Sequence, residues 1–316
     1  MFVLRCLGVS LSFFLLLYGV LSLLVIRSWR LAQRACRRLS AKRIANFLFA
    51  LRTLPLAGAL LITAVFVVPS FLLLEPRVVT EPIGEIPLTL GGVCLLLLSA
   101  GFWNAMSAHR KTSRAVRGWL LGATTDSNCY PVPLFRIRTS SPALAVAGGL
   151  SPRVLLSDAA AASLTASELE AALKHEMAHV DRCDNLKKLL LCLFALPGLS
   201  VLESAWSEAA EMAADDAAVS NSRQALDLAS ALIKLSRFAL PQKSTVLAIG
   251  LAHASGSALN ARIARLVSWD ETRRATSSGS LLAYLAPAFL GVFLCVIATY
   301  GIVLVDMHKM TEWLVR

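Results

Sequence analysis

The sequence predicts an α-helical integral membrane protein in which four transmembrane helices carry a cytoplasmic α+β domain. The first observation is composition: 56% of the 316 residues are hydrophobic and 16% are charged, whereas soluble domains average about 45–50% and about 25%. The second is a set of four apolar segments long enough to cross a membrane, and the third is the uneven placement of basic residues around them. These proportions exclude a disordered chain, a coiled coil and an ordinary cytosolic enzyme.

Four apolar segments reach the length of about 20 residues that a helix needs to cross the hydrocarbon core. They cover residues 6–26, 53–74, 86–106 and 280–305. None contains Asp, Glu, Lys or Arg, each of which costs roughly 3 kcal/mol at mid-membrane. Pro55 and Pro69 predict kinks in the second segment. The first segment is interpreted as a retained signal anchor, because basic residues rather than a small-residue cleavage site follow it.

Basic residues predict the orientation of these helices. Eight lie between the first and second segments with no acidic residue among them, and four follow the third: Arg27, Arg30, Arg34, Arg37, Arg38, Lys42, Arg43 and Arg52, then Arg110, Lys111, Arg114 and Arg117. The loop over 75–85 has three Glu and one Arg. The positive-inside rule therefore predicts an external N-terminus, an internal 27–52 loop and a cytoplasmic 107–279 segment in an inner or plasma membrane of the bacterial type.

The same rule also explains the net charge of +11. The twelve basic residues beside the spans exceed that total, so the charge is a topology signal, with contact to the lipid bilayer, and no direct nucleic-acid binding is expected. The predicted organisation is a membrane domain over 1–106, a cytoplasmic domain over 107–279, a fourth transmembrane helix over 280–305 and a short external tail over 306–316. The seven cysteines are odd in number and form no CxxC pair, which argues against a disulfide framework.

The cytoplasmic segment combines short strands with helices. A basic helical stretch opens it, and strands are predicted over 135–138, 143–147 and 153–157. Thr165 and Glu168 have the spacing of a capping box, which predicts a helix over about 166–190.

That helix contains the sequence His175-Glu176-Met177-Ala178-His179. Residues four apart lie on one helical face, so both imidazoles can bind one metal ion. Glu176 stands beside them, where a carboxylate can take a proton from a metal-bound water.

A second helical stretch, beginning near Ser207, supplies the rest of the predicted site. Glu211 and Asp215 are also four apart. Glu211 can be the third metal ligand, while Asp215 accepts a hydrogen bond from the outer nitrogen of a ligand imidazole. Glu208 and Asp216 point about 60–100° away on the helical wheel. The alanines near Glu211 and Asp215 predict that this second helix packs closely against the helix that carries the two histidines.

These two motifs resemble those of the BlaR/MecR-type membrane metallopeptidases, the antirepressor family that includes the β-lactam-sensing transducers. The segments ALKHEMAHVDRCDN and SEAAEMAADDAAV are similar to that family's HExxHxxRxDN and ExxxD motifs, and more distantly to HtpX-like and CAAX-processing endopeptidases. The resemblance implies a gluzincin-like domain with Zn²⁺ as cofactor, His175, His179 and Glu211 as zinc ligands, Glu176 as general base and Asp215 behind a ligand. Four spans with the protease before the fourth match the family's layout.

The resemblance has a limit and some further implications. The sequence ends at Arg316, without the penicillin-binding sensor domain of the β-lactam transducers, so covalent β-lactam sensing is not expected. The resemblance implies that substrate pairs with an edge strand, over 143–147 or 154–157, and an ordinary small sheet with no substrate role is the alternative. Arg262 and His253 are rival candidates for oxyanion stabilisation, each also interpretable as a packing or surface residue.

The segment over 189–202 has two interpretations. It is too short for an ordinary span, and if Glu211 joins the two histidines it has to return to the same side of the membrane. A re-entrant segment at the membrane and a buried core helix both satisfy that condition.

Together these expectations predict a membrane zinc endopeptidase that cleaves a cytoplasmic or membrane-proximal protein, with a transcriptional repressor as the candidate substrate and a separate sensor as a candidate partner. Two alternatives stay open: a housekeeping HtpX-like quality-control protease, and a non-catalytic metal-containing signal relay.

Overall fold

A computed structural model describes residues 2–36, 39–76, 84–126, 132–139, 142–193, 199–238, 248–250, 256–269 and 299–313. The chain divides into two units. The helical unit comprises Met1–Ala35, Ala50–Ala100 and Ser277–Arg316, and the mixed unit comprises Cys36–Phe49 and Gly101–Thr276.

Helices build the helical unit. They are α1 (Phe2–Cys36), most of α2 (Ala41–Ile62), α3 (Val68–Leu74), the first part of α4 (Glu85–Leu120) and a helix over 299–313. Among the described residues, three stretches are long and apolar enough to cross a membrane: Phe2–Trp29, Ala41–Leu74 and Glu85–Leu120. They contain the first three predicted spans. Most of the fourth, over 280–298, lies outside the described residues, and its last part, 299–305, is helical.

A π-helical turn, Thr63–Val67, connects α2 to α3. Pro69 is the second residue of α3 and has no N–H to donate to the carbonyl of Val65, four residues earlier. The Tyr300 hydroxyl donates to that carbonyl at 2.9 Å. The distortion expected from a proline in this segment is thus a π-turn, and a side chain from another helix satisfies the carbonyl that the proline leaves.

Small residues let α1 and α4 approach each other closely. A Cβ atom on Gly91 would lie 3.3 Å from the Gly8 carbonyl oxygen. Beside this crossing, the Ser12 hydroxyl lies 3.0 Å from the Pro87 carbonyl. Close backbone contact at small residues is a common way for helices to pack in membranes.

A five-stranded sheet lies between helices in the mixed unit, with Val116 of α4 packed on one face and two later helices, Ala166–Asp181 and Ser222–Ser236, on the other. Its strands are β1 (Thr124–Asp126), β2 (Leu134–Ile137), β3 (Leu144–Ala147), β4 (Arg153–Ser157) and β5 (Ala248–Gly250), in the order β1-β2-β4-β3-β5. Among the described strands, only β2 and β4 run parallel. The three predicted strands are confirmed within a residue at each end. The expectation that 143–147 or 154–157 forms an edge is wrong for both, because β4 lies between β2 and β3, and β3 lies between β4 and β5.

Helices pack against this sheet and against each other. They are α5 (Asp158–Ser163), α6 (Ala166–Asp181), α7 (Asp184–Cys192), α8 (Ser200–Ala218), α9 (Ser222–Ser236) and α10 (Gly256–Val267). The core contains apolar residues of β3, β4, α6 and α9, including Val146, Leu156, Leu228 and Leu232. The predicted alanine contact is present, since Ala209, Ala210, Ala213 and Ala214 on α8 are all buried.

The capping box of α6 is confirmed, but the helix is shorter than predicted. The Thr165 hydroxyl accepts a hydrogen bond from the Glu168 amide, and the Glu168 carboxylate accepts one from the Thr165 amide. The expected single helix over 166–190 breaks at Arg182 and Cys183, where Cys183 has φ +53°. In the 189–202 segment, α7 ends at Cys192 and α8 begins at Ser200, earlier than predicted; residues 194–198 lie outside the described residues.

Candidate metal centre

The HExxH motif brings two imidazoles together in the mixed unit. His175 and His179 lie one turn apart on α6, and their Nε2 atoms are 3.2 Å apart. Both rings are buried and stand nearly perpendicular, with an interplanar angle of 80°.

Glu211 on α8 completes the predicted ligand set. One carboxylate oxygen lies 3.5 Å from His175 Nε2 and the other 3.7 Å from His179 Nε2. One ligand atom from each of the three residues lies within 4.8 Å of the others. The structure therefore joins α6 and α8 at the three residues that the sequence predicts.

The outer nitrogens of both rings contact buried carboxylates. His175 Nδ1 is 2.9 Å from Asp215 Oδ1, and His179 Nδ1 is 2.8 Å from Asp184 Oδ2. His179 Nδ1–H can donate to Asp184, and the Asp215 carboxylate favours a hydrogen on His175 Nδ1 beside it. With a hydrogen on each Nδ1, each Nε2 presents a lone pair toward the other ring and toward Glu211. Acceptors that converge in a buried site repel each other unless a cation lies between them. The donor set, two imidazoles and a carboxylate, therefore fits a divalent metal ion such as zinc.

Asp184 was not identified from the sequence as a contact of the site. Asp184 follows His179 by five positions, a spacing that does not bring two side chains together on a continuous helix. The left-handed conformation of Cys183 ends α6 and starts α7 in a new direction, which lets the Asp184 carboxylate reach the ring. Asn185 then anchors α7 to the sheet, because its amide donates to the carbonyls of Val146 at 3.0 Å and Gly148 at 3.1 Å.

Electrostatics in the metal-free site favour a positive charge between the ligands. Burial opposes charge on His175, but hydrogen bonds to Asp215 and Glu211 outweigh it and raise the His175 pKa to about 9. Burial lowers the pKa of His179, and the neighbouring His175 lowers it further. Burial alone would raise the pKa of Glu211, yet the two histidines and Arg262 hold it well below its usual range. One extra proton, on His175, can therefore supply this positive charge, and a bound metal ion would take the place of that proton.

Glu176 is completely buried next to His175. Its Oε2 atom accepts a hydrogen bond from the Val146 amide of β3 at 2.9 Å. The sheet thus fixes the orientation of the Glu176 carboxylate. Glu176 directly follows His175, a candidate metal ligand, along α6.

Arg262 lies behind the candidate ligands. Its Nε and NH2 atoms donate to the two oxygens of Asp215 at 2.8 and 2.7 Å, and NH1 lies 2.9 Å from Glu211 Oε2. Because three of its nitrogens face these carboxylates, the contacts favour a positioning role for Arg262, and oxyanion stabilisation stays a prediction. The rival candidate, His253, lies outside the described residues.

Lys188 is a further charged neighbour that sequence reasoning missed. It lies one turn after Asp184 on α7, and burial lowers its pKa against the opposing effect of Glu211, Asp184 and Glu176. Lys188 and Asp184 are four residues apart, which places them on one helical face. This spacing predicts that Lys188 lies near the site only if the helix break at Cys183 is known, because that break brings Asp184 to His179.

The comparison with known families agrees with this geometry. Residues 135–266 match the family described as BlaR1 peptidase M56, whose members are metallopeptidases. The match covers all the residues described above at the site, and it confirms the predicted resemblance for this segment. No curated protein matches the chain.

Proposed function

We propose that this chain, whose residues 135–266 match the M56 peptidase family, is a membrane zinc endopeptidase. The observation that supports this proposal is the cluster of acceptors formed by the buried His175 and His179 and the partly buried Glu211. A zinc ion held by these side chains would polarise a peptide carbonyl and lower the pKa of a bound water to about 7.

The surrounding residues have distinct parts in this mechanism. Glu176 takes a proton from the attacking water and delivers it to the leaving amine, and the Val146 amide keeps its carboxylate oriented. Asp215 and Asp184 hold each ligand imidazole in the tautomer that directs a lone pair to the metal. Arg262 balances the negative charge of Asp215 and Glu211 while it fixes both carboxylates in place.

The proposed substrate is a cytoplasmic or membrane-proximal protein, with a transcriptional repressor as the leading candidate and a separate sensor as upstream partner. Three apolar helices support a place in the lipid bilayer. The basic residues beside them support a cytoplasmic position for residues 107–279.

Replacement of Glu176 tests the proposed mechanism. Glu176→Gln should reduce peptide hydrolysis by about 10²–10⁴-fold, because the carboxylate that moves the proton is lost, while metal content stays unchanged. Hydrolysis can be followed with a casein-derived peptide library and the purified full chain, and metal content by elemental analysis. Cells that express wild type or Glu176→Gln can then be compared by mass spectrometry of new protein N-termini, which identifies the natural substrate.

The matched control is Glu170→Gln on the same helix, since Glu170 is largely exposed and pairs only with Lys174 among the described residues. It should leave hydrolysis unchanged. Undiminished hydrolysis by Glu176→Gln would refute the assigned role of Glu176. Bound metal without any hydrolysis by the wild type would instead favour a signal relay.

A further inference from the structure

One end of the helical unit brings four ionisable side chains together from three parts of the chain. Arg5 comes from α1, Glu75 follows α3 directly, and His308 and Glu312 lie four apart on the helix over 299–313. That helix runs in the same direction as the segment from the π-turn to Glu75, because Tyr300 contacts Val65 and His308 lies near Glu75. The cluster therefore joins helices that are distant in sequence.

The spacing of the side chains suits a metal ion better than hydrogen bonds. His308 Nε2 lies 3.9 Å from Glu75 Oε2 and 3.7 Å from Glu312 Oε1, which is too long for a hydrogen bond. Ligand atoms about 2.1 Å from a tetrahedral ion are about 3.4 Å apart. The two distances from His308 Nε2 exceed this value by about 0.3 and 0.5 Å, and one ligand atom from each of the three residues lies within 4.8 Å of the others.

Unsatisfied polar groups mark the same place. The side chain of His308 is only 16% exposed, and its Nδ1 is buried with no hydrogen-bond partner in the part of the chain that the structure describes. Arg5 is 8% exposed, and its Nε also lacks a hydrogen-bond partner among the described residues, but a guanidinium has only donors and does not itself bind a cation. A buried imidazole that finds no protein partner usually has a ligand or water.

Arg5 leaves one oxygen of Glu75 available. Its NH1 lies 3.5 Å from Oε1, so Oε2 is the oxygen that faces His308. The arrangement parallels the catalytic site, where Arg262 contacts carboxylates around the metal ligands. One imidazole and two carboxylates suit a divalent first-row transition ion, above all zinc.

We propose that Glu75, His308 and Glu312 form a second binding site for a zinc-class divalent ion, separate from the peptidase centre. A bound ion would tie the end of α3 to the helix over 299–313, with Arg5 holding Glu75 in place from α1. Under the predicted topology this end of the helices faces outward, so the site would bind ions from outside the cell.

Counting bound ions tests this proposal. The full chain, purified in detergent and equilibrated with buffered micromolar Zn²⁺, should bind two ions, and His308→Ala should bind one. His308→Ala should keep basal peptide hydrolysis, since His308 has no part in the peptidase centre. Co²⁺ in place of Zn²⁺ should give an additional d–d absorption that His308→Ala removes. His109→Ala, which removes another histidine outside the peptidase centre, is the matched control and should bind two ions.

Glu75→Gln provides a second variant in case His308→Ala does not fold, and it should also bind one ion. The proposal is overturned when the wild type binds a single ion that His308→Ala retains, or when a second ion survives both substitutions. Failure of the peptidase proposal looks different: the chain would lack hydrolysis while an ion sensitive to His308→Ala stays bound.

Discussion

At the scale of single residues, two arginines on α10 show how burial changes the value of an ion pair. Arg262 and Arg265 lie three residues apart, and each binds both oxygens of an aspartate on α8. The Arg262–Asp215 pair is 4% and 1% exposed, whereas the Arg265–Asp216 pair is 24% and 30% exposed. Removal of Arg262 leaves buried carboxylates unpaired and out of contact with water, whereas removal of Arg265 leaves Asp216 in contact with water.

This contrast predicts unequal effects of the same substitution. Arg262→Met should destabilise the full chain by about 3–5 kcal/mol and weaken metal binding, because Asp215 and Glu211 lose their countercharge. Arg265→Met, the matched control, should cost less than about 1 kcal/mol. Thermal unfolding in detergent and the metal content of each variant measure both effects. Equal losses from the two substitutions would contradict the assigned positioning role.

Sequence reasoning succeeds at the site where the spacing is local. His175 with His179, and Glu211 with Asp215, are pairs four apart, so the helical period alone places them on one face. The contacts of Asp184 and Arg262 depend on a helix break and on a helix far along the chain. No local period reports such contacts, which is why Asp184 was missed and the contacts of Arg262 with Asp215 and Glu211 were not predicted.

At the scale of elements, the start of α6 is stabilised from two directions. Glu168 closes the capping box with Thr165, and its carboxylate also accepts hydrogen bonds from Ser230 at 2.5 Å and Lys234 at 2.7 Å on α9. One side chain therefore begins the metal-binding helix and docks it to its neighbour. Burial by itself raises the Glu168 pKa, but the hydrogen bonds from Lys234, Ser230 and Thr165 outweigh it and lower the pKa to about 2.

A folded-state pKa below the ordinary 4.5 means that ionised Glu168 stabilises the fold above pH 4.5. That contribution is lost as the pH falls from 4.5 toward 2. Glu168→Gln should therefore lower stability by about 1–2 kcal/mol at pH 7, and the difference from wild type should shrink near pH 3. Melting temperatures of both proteins across this range measure it. Glu170→Gln should show no such gap, and a gap for Glu168→Gln that does not change with pH would disprove the electrostatic explanation.

The elements themselves were predictable where they are long or flanked by clear signals. The capping box, the three central strands and the first three spans all follow from local pattern. The strands β1 and β5 contain three residues each, too few to show a period, and they exist through pairing with distant strands. The break at Cys183 lacks the glycine that usually marks a left-handed residue. The sequence pattern therefore predicted one continuous helix across this position.

At the scale of the whole molecule, charge placement leads to a prediction of topology. Three apolar helices are present among the described residues, and basic residues lie next to them in sequence. The positive-inside rule then requires Gly84 and Gly122 to lie on opposite sides of the membrane.

Reporter fusions measure that arrangement. Alkaline phosphatase fused after Gly84 should be active, and green fluorescent protein fused after Gly122 should fluoresce, because the first reporter works only outside and the second only in the cytoplasm. The swapped reporters at the same two positions are the controls and should be silent. The reverse pattern would place the peptidase outside the cell and exclude a cytoplasmic repressor as substrate.

The π-turn at Thr63–Val67 has a consequence for how this chain can vary. A π-turn amounts to the insertion of one residue into an α-helix, and each residue turns an α-helix by about 100°. Loss of one residue here would restore a regular helix but swing Glu75 by about that angle, away from Arg5 and His308. The extra residue therefore rotates α3 about the helix axis relative to α2, and this rotation places Glu75 beside Arg5 and His308. Homologues that lack it should also lack the acidic residue at the position of Glu75.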